Sequence, residues 1–169
     1  ERLYPEFAGL RGKMYEESIR FFTDFFQNDR SVLSLLNADH TFVDPDLAKL
    51  YALPALGEGW QRIEDVQKVG RGGILGFATT LAKQSGASRT SPILRGNWVS
   101  ETLLGERLPK PPKDVPPLPD ELPKGLSERE LIMKHSSDPA CAKCHHRIDP
   151  YGFALEAFDA IGRFRAGAD

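Results

Sequence analysis

Apolar positions recur at helical spacing along the first part of the chain. From Phe7 to Phe26, Leu10, Met14, Ile19, Phe22, Phe25 and Phe26 stand among charged residues. That pattern predicts an amphipathic helix of several turns with its aromatic stripe toward the core. Asn28-Asp29-Arg30-Ser31 interrupts the pattern, and Ser31 is placed to cap a short second helix carrying Val32, Leu33, Leu35 and Leu36. Asp44-Pro45-Asp46 opens another short helix through Leu47, Leu50 and Tyr51, which Pro54 closes. Six glycines between Gly57 and Gly76 separate Trp60, Ile63, Val66 and Val69, so short strands or a β-hairpin are expected there. Helical spacing returns over 74–83 and again over 93–104, the latter behind Thr90-Ser91-Pro92, a cap followed by proline at the first helical position.

Seven prolines between Pro109 and Pro123 cannot supply a hydrogen-bond ladder and predict an extended, polyproline-like strip. Beyond it, Ser127 and Glu130 have the spacing of a capping box, opening a helix with Leu131, Ile132 and Met133 that ends near His135. After Ser136-Ser137-Asp138-Pro139 a helix is expected to begin close to Cys141, and a last one to cover Phe153–Phe158. The organisation read from these elements is a helical region with a Gly-rich insertion over 1–106, a Pro-rich linker over 107–125 and a C-terminal segment over 126–169 that packs on the first part.

Composition narrows the function. The 169 residues are 40% hydrophobic and 27% charged, enough for one globular core with a linker. A formal charge of −2, a pI near 6.1 and the lack of a basic block argue against nucleic acid. No apolar run approaches the roughly 20 residues of a membrane span, and mean hydropathy is −0.38. The opening Glu1-Arg2-Leu3-Tyr4 resembles neither a signal peptide nor an initiator methionine, so the chain reads as a mature product or a fragment. Its two cysteines lie three residues apart and cannot form a multi-disulfide scaffold.

Those cysteines belong to Cys141-Ala142-Lys143-Cys144-His145, a C-x-x-C-H sequence, which is the attachment signature of c-type haem. On a helix Cys141, Cys144 and His145 fall within about 100° of arc, so two thioether sulfurs and an axial imidazole can meet one porphyrin. A zinc knuckle adding His146 lacks the second distant ligand pair that structural zinc sites draw on. A redox dithiol of the C-x-x-C type is expected after a strand in a βαβ unit, whereas this one follows a helix and a turn. The expectation is therefore one covalent haem c on a mainly α, cytochrome c-like domain, with the porphyrin against Phe21, Phe22, Phe25, Phe26, Phe153 and Phe158.

A sixth iron ligand is sought among His135, Met14, His40, His146 and Met133, with His135 ranked first and an open position retained. Arg89 and Arg95 are candidate partners for the haem propionates. Asp149, Glu156 and Asp159 read as turn and helix-surface carboxylates, so no catalytic residue is assigned.

Several segments resemble the haem-bearing region of a family of large secreted proteins abundant in planctomycetes, known as planctomycete cytochromes and domains of unknown function. The matching residues are Asn28 to Leu33, Asn37 to Phe42, Arg71-Gly72-Gly73-Ile74-Leu75-Gly76, Arg89 to Trp98, the Pro-rich run, and His135 to Cys141 continuing through Gly152 to Gly162. Such sequences often carry Tyr at the position of His40 and Met at that of Ile148, so a methionine just after the motif is not available here. The resemblance implies a periplasmic or extracellular c-type cytochrome domain embedded in a longer protein. Its expected work is one-electron transfer to a partner protein or to other domains of the same chain. The rival readings are a peroxidase-like haem enzyme with an open iron position and a haem-stapled scaffold.

Overall fold

The first helix, α1 (Phe7–Gln27), buries Leu10, Met14, Glu17, Phe21 and Phe25. These positions are spaced by three or four residues and form a single stripe. Ile19 and Phe26 lie more than about 120° round from Met14, and they are 44% and 73% exposed. The buried face keeps Leu10, Met14 and Phe25 of the expected stripe, adds Glu17 and Phe21, and so carries a carboxylate at its middle. The computed structural model describes residues 3–54, 57–86, 89–109, 118–119 and 122–165. Most of the Pro-rich strip, 110–117 and 120–121, lies outside the described residues.

Among the described residues the chain forms two compact units, one of 3–90 with 157–165 and one of 91–156. This grouping differs from the division read in the sequence: 91–109 joins the C-terminal helices, and the segment after Glu156 returns to the N-terminal unit.

In the first unit α1 is followed by the single turn α2 (Ser34–Asn37), none of whose residues is buried. Strand β1 (His40–Val43) comes next, then α3 (Pro45–Leu50) and strand β2 (Gln61–Glu64). The two strands pair antiparallel, with His40 opposite Glu64 and Val43 opposite Gln61. The glycine-rich stretch therefore supplies one strand and two 3-10 turns, Val66–Val69 and Ile74–Gly76, before α4 (Ala78–Lys83). Helix α3 starts as expected: the Asp44 carboxylate accepts from the Leu47 N–H at 2.9 Å and Pro45 takes the first position. Leu10, Met14, Val43, Leu47, Ala48, Leu50, Tyr51, Ala78 and Ile161 make one apolar core. Ile161 reaches it through a tight turn at Gly162, where φ is +85° and a Cβ would come within 2.7 Å of the Ala78 Cα. Only glycine fits both conditions.

The second unit holds α5 (Pro92–Trp98), a π-helical turn (Val99–Leu103), α6 (Glu128–Ser136) and α7 (Pro139–Ala154). Ser91 caps α5 by accepting from the Leu94 N–H at 3.2 Å. Both halves of the expected capping box of α6, Ser127 and Glu130, are present. Helices α5 and α7 cross where both carry glycine. A Cβ on Gly96 would lie 2.0 Å from the Ile148 carbonyl oxygen, and one on Gly152 2.1 Å from that of Pro92. Helix α7 runs through Pro150 without a break, so the expected separate helix over Phe153–Phe158 is replaced by the end of α7 and a turn.

Candidate functional site

Helix α7 carries the chemistry of the second unit, and its start is set locally. The Asp138 carboxylate accepts from the Ala140 N–H at 2.8 Å and Pro139 fills the first position. This places Cys141 in the first turn and Cys144 in the next, both half-buried and both free thiols. His145 and Asp149 are buried at 8% exposure each. They are four residues apart on one face, and His145 Nδ1 lies 2.8 Å from Asp149 Oδ1. The His135 ring at the end of α6 meets the His145 ring edge to face, centroids 5.2 Å apart. An open hollow of about 400 Å³ adjoins this pair, with Ser136, His146, Pro150 and Phe153 on its walls. His146 turns its Nδ1 to the Ala142 carbonyl at 2.9 Å. Arg129 crosses the Phe153 ring at 4.3 Å and pairs with Glu156.

The other residues singled out in the sequence lie elsewhere. Arg95, 1% exposed, donates through Nη1 to the Leu155 carbonyl at 2.6 Å. Arg89 belongs to the first unit and Arg95 to the second. Met14 is packed in the core of the first unit, and Met133 is 55% exposed. His40 stacks on Phe21 with centroids 5.5 Å apart, its Nε2 3.3 Å from Asp24 Oδ2. Burial first, then Arg62 and Arg30, hold His40 below the ordinary histidine range despite Asp24.

The expectation of a covalent haem c is corrected here. Among the described residues no group of three or more His, Cys, Asp or Glu side chains comes together as a set that could hold a metal ion. The residues present do not make up a haem site.

A second polar cluster, unsuspected from the sequence, sits in the first unit. Glu17 is fully buried and accepts from the Thr41 hydroxyl at 2.6 Å and the Tyr51 hydroxyl at 2.5 Å. Desolvation pushes its carboxyl up to about 7, against the lowering pull of those two hydroxyls and of Arg71. Tyr51 in turn accepts from the Ala78 N–H at 2.8 Å. The Arg71 guanidinium lies 3.5 Å above the Tyr51 ring and 5.1 Å from that of Phe158, and donates to the carbonyls of Gly76 and Gly162. The partners of Glu17 come from β1, from the end of α3 and from the loop after β2, so no local spacing signals them. Asp149, by contrast, stands four residues after His145, a spacing the sequence does display.

The fold and site define a mainly helical chain with a small antiparallel ribbon and a thiol-bearing terminal helix. Among the described residues no helix is long and apolar enough to cross a membrane. The chain belongs to the family described as PSCyt3, protein of unknown function (DUF1588), whose model matches residues 71–168. A second model, PSD4, protein of unknown function (DUF1592), matches residues 1–53. No curated protein and no solved structure gives a significant match.

Proposed function

We propose that this chain is an electron-exchange module that works through the Cys141–Cys144 thiol pair. It would act outside the cytoplasm, toward a redox partner protein or other domains of a larger protein. The observation that supports this most is the arrangement on α7: two free, half-buried thiols in its first turns with the His145–Asp149 pair next along. Cys141, His145 and Asp149 follow one another at four-residue steps and share a face. With Nδ1 held by Asp149, Nε2 is left outside that bond, and Cys141 stands one turn back on the same face, in the chain order of nucleophile, base and orienting carboxylate.

Cβ atoms three residues apart on a regular helix are about 5–6 Å apart, whereas a disulfide needs roughly 3.5–4.5 Å. Closing Cys141 onto Cys144 must distort the first turn of α7, and strained disulfides are the readily reduced, exchanging kind. In the exchange the Cys141 thiolate, its proton passed to His145, attacks one sulfur of a partner disulfide. The first partner thiolate leaves. Cys144 gives its proton to the partner thiolate that left, attacks the Cys141 sulfur of the mixed disulfide and releases the second partner thiolate, which takes up the proton held by His145. Two electrons pass to the partner, and this chain is left with one intramolecular disulfide. An oxidising compartment supplies such partners.

The test is equilibration in glutathione redox buffers, followed by alkylation and intact-mass measurement. The expected result is a reversible, two-electron loss of both thiols with a midpoint above about −300 mV, while Cys144→Ser traps a mixed disulfide at Cys141. Two results would overturn the reading. One is a pair that stays alkylatable in every buffer; the other is native protein whose sulfurs are both blocked by a thioether-linked group that no reductant removes.

A further inference from the structure

Helix α1 carries a second apolar stripe on its outer side. Ala8, Gly12, Tyr15, Ile19, Phe22 and Phe26 follow one another at alternating steps of four and three residues, the spacing that keeps a seam on one side of a helix. They fall within about 80° of arc, centred roughly 140° round from the buried face. Phe22 is half-buried and the other five are exposed, Tyr15 at 63%. Single exposed apolar side chains are ordinary, whereas a continuous row about 27 Å long marks a surface that docks something.

The row is graded in size, small at the start of α1 and aromatic toward its end. If two copies lie antiparallel about a two-fold axis at the level of Glu17, Ala8 faces the partner's Phe26, Gly12 the partner's Phe22, and Tyr15 the partner's Ile19. Each of these pairs is centred on the same point of the sequence. A ring then meets a methyl group or a bare Cα at both ends, and the helices stay evenly spaced. A parallel pair would set Phe22 and Phe26 against their own copies and leave glycine facing glycine, so that one end is wedged open and the other left hollow. A two-fold interface requires a patch complementary to itself, and the size gradient provides one.

We propose that this stripe is the docking surface for a second copy of this chain, forming a symmetric, antiparallel α1–α1 pair. The area is sufficient but small. Tyr15 and Phe26 alone expose roughly 300 Å² of side chain, and with the rest of the row a pair would bury about 1,000–1,200 Å², the low end for a specific interface. Association in the micromolar range follows, not a permanent dimer. The border is polar, as interface rims are. Glu16 and Arg20, ion-paired at 2.9 Å, flank the row near the axis, so the pair brings two charges of each sign together there.

The test is sedimentation of the 169-residue chain over a concentration series, with circular dichroism as the check that each variant is folded. Wild type is expected to pass reversibly from monomer to dimer. Ile19→Glu, which brings like charges to the axis, should raise the dissociation constant at least about tenfold. A Cβ on Gly12 meets nothing within 4 Å among the described residues, so Gly12→Phe leaves the monomer intact but should block association by meeting the partner's Phe22. Adding Phe22→Ala should restore it, although residues 12 and 22 lie about 15 Å apart along one helix and cannot touch within a chain. A chain that stays monomeric up to about 1 mM would overturn the proposal, as would a dimer indifferent to Ile19→Glu. Loss of association in Gly12→Phe that Phe22→Ala fails to restore would overturn the antiparallel pairing. A monomer that pellets with phosphatidylcholine vesicles would give the face to a lipid surface and overturn it too.

Discussion

Gly96 and Gly152 show how single residues set the approach of two helices. Neither has room for a methyl group: the added Cβ would press on a main-chain carbonyl at about 2 Å, and backbone cannot swing aside as a side chain can. Gly152→Ala is expected to destabilise the protein by about 1–3 kcal/mol or more, the range for overpacking an interior. Urea unfolding with an unchanged slope would register it. Gly9, on α1, has nothing within 4 Å of its added Cβ, so Gly9→Ala should instead stabilise by about 0.5–1 kcal/mol. A loss at Gly9 as large as at Gly152 would refute the assignment of the cost to helix contact. The same scale explains what the sequence could reveal of the sites. The pairing of His145 with Asp149 follows from a four-residue step on one helix. The Glu17 cluster draws on Thr41, 24 residues away, and Tyr51, 34 residues away, and nothing local marks a glutamate as buried.

Three helix starts are legible because their chemistry is local, while the cap expected at Ser31 is not formed, since α2 begins at Ser34 with Leu33 before it and no side-chain cap. Asp44-Pro45, Ser91-Pro92 and Ser127 with Glu130 all form the caps that their spacing predicts. Asp44 is mostly buried and also pairs with Lys13. Asp44→Ala should therefore cost about 1–2 kcal/mol, while Asp44→Asn, which keeps the acceptor for the Leu47 N–H, should retain most of the cap. Thermal unfolding of the two variants side by side checks this, and an Asn variant as unstable as Ala would shift the weight from the cap to the Lys13 pair. Strand β1 was missed for the opposite reason. His40 to Val43 is only four residues long, and its identity as a strand rests on pairing with Gln61–Glu64. The expected stripe on α1 holds at Leu10, Met14 and Phe25 and departs where Ile19 and Phe26 are apolar yet outward, whereas the inward Glu17 looks like a solvent residue until its hydroxyl partners are known. The sequence suggests two helices here, one from near Cys141 and one over Phe153–Phe158, whereas one helix runs from Pro139 to Ala154 with Pro150 inside it.

At the scale of the molecule, the mainly helical class was readable from periodicity, but the grouping of elements was not. The return of 157–165 to the N-terminal unit depends on Arg71, held between Tyr51 and Phe158 and bonded to the Gly162 carbonyl, a contact spanning most of the chain. The buried acid in that unit makes global stability depend on pH, and the sign follows from linkage. Glu17 has a folded value of about 7 against 4.5 for a free carboxyl. The native state therefore holds a proton that the unfolded chain has released. The stabilisation is complete below about pH 4.5 and fades as pH rises through 7. From the size of the shift it amounts to about 3 kcal/mol between those limits. His40 works against it: its folded value is lowered, so its contribution is present above the free-histidine value near 6.5 and is lost as pH falls. Glu6, Asp24, Asp46 and Glu130 are lowered as well, and their effect is confined to pH below about 4.5. Over pH 5–6.5 the Glu17 and His40 slopes partly cancel in wild type, so the raw profile is a poor reporter. The difference between wild type and Glu17→Gln removes the His40 contribution common to both. It is expected to favour wild type at pH 5 and to shrink steadily toward pH 8, by about 1.4 kcal/mol per pH unit in the middle of the range. A difference that is flat across this span in urea unfolding would show that Glu17 is ionised in the native protein throughout.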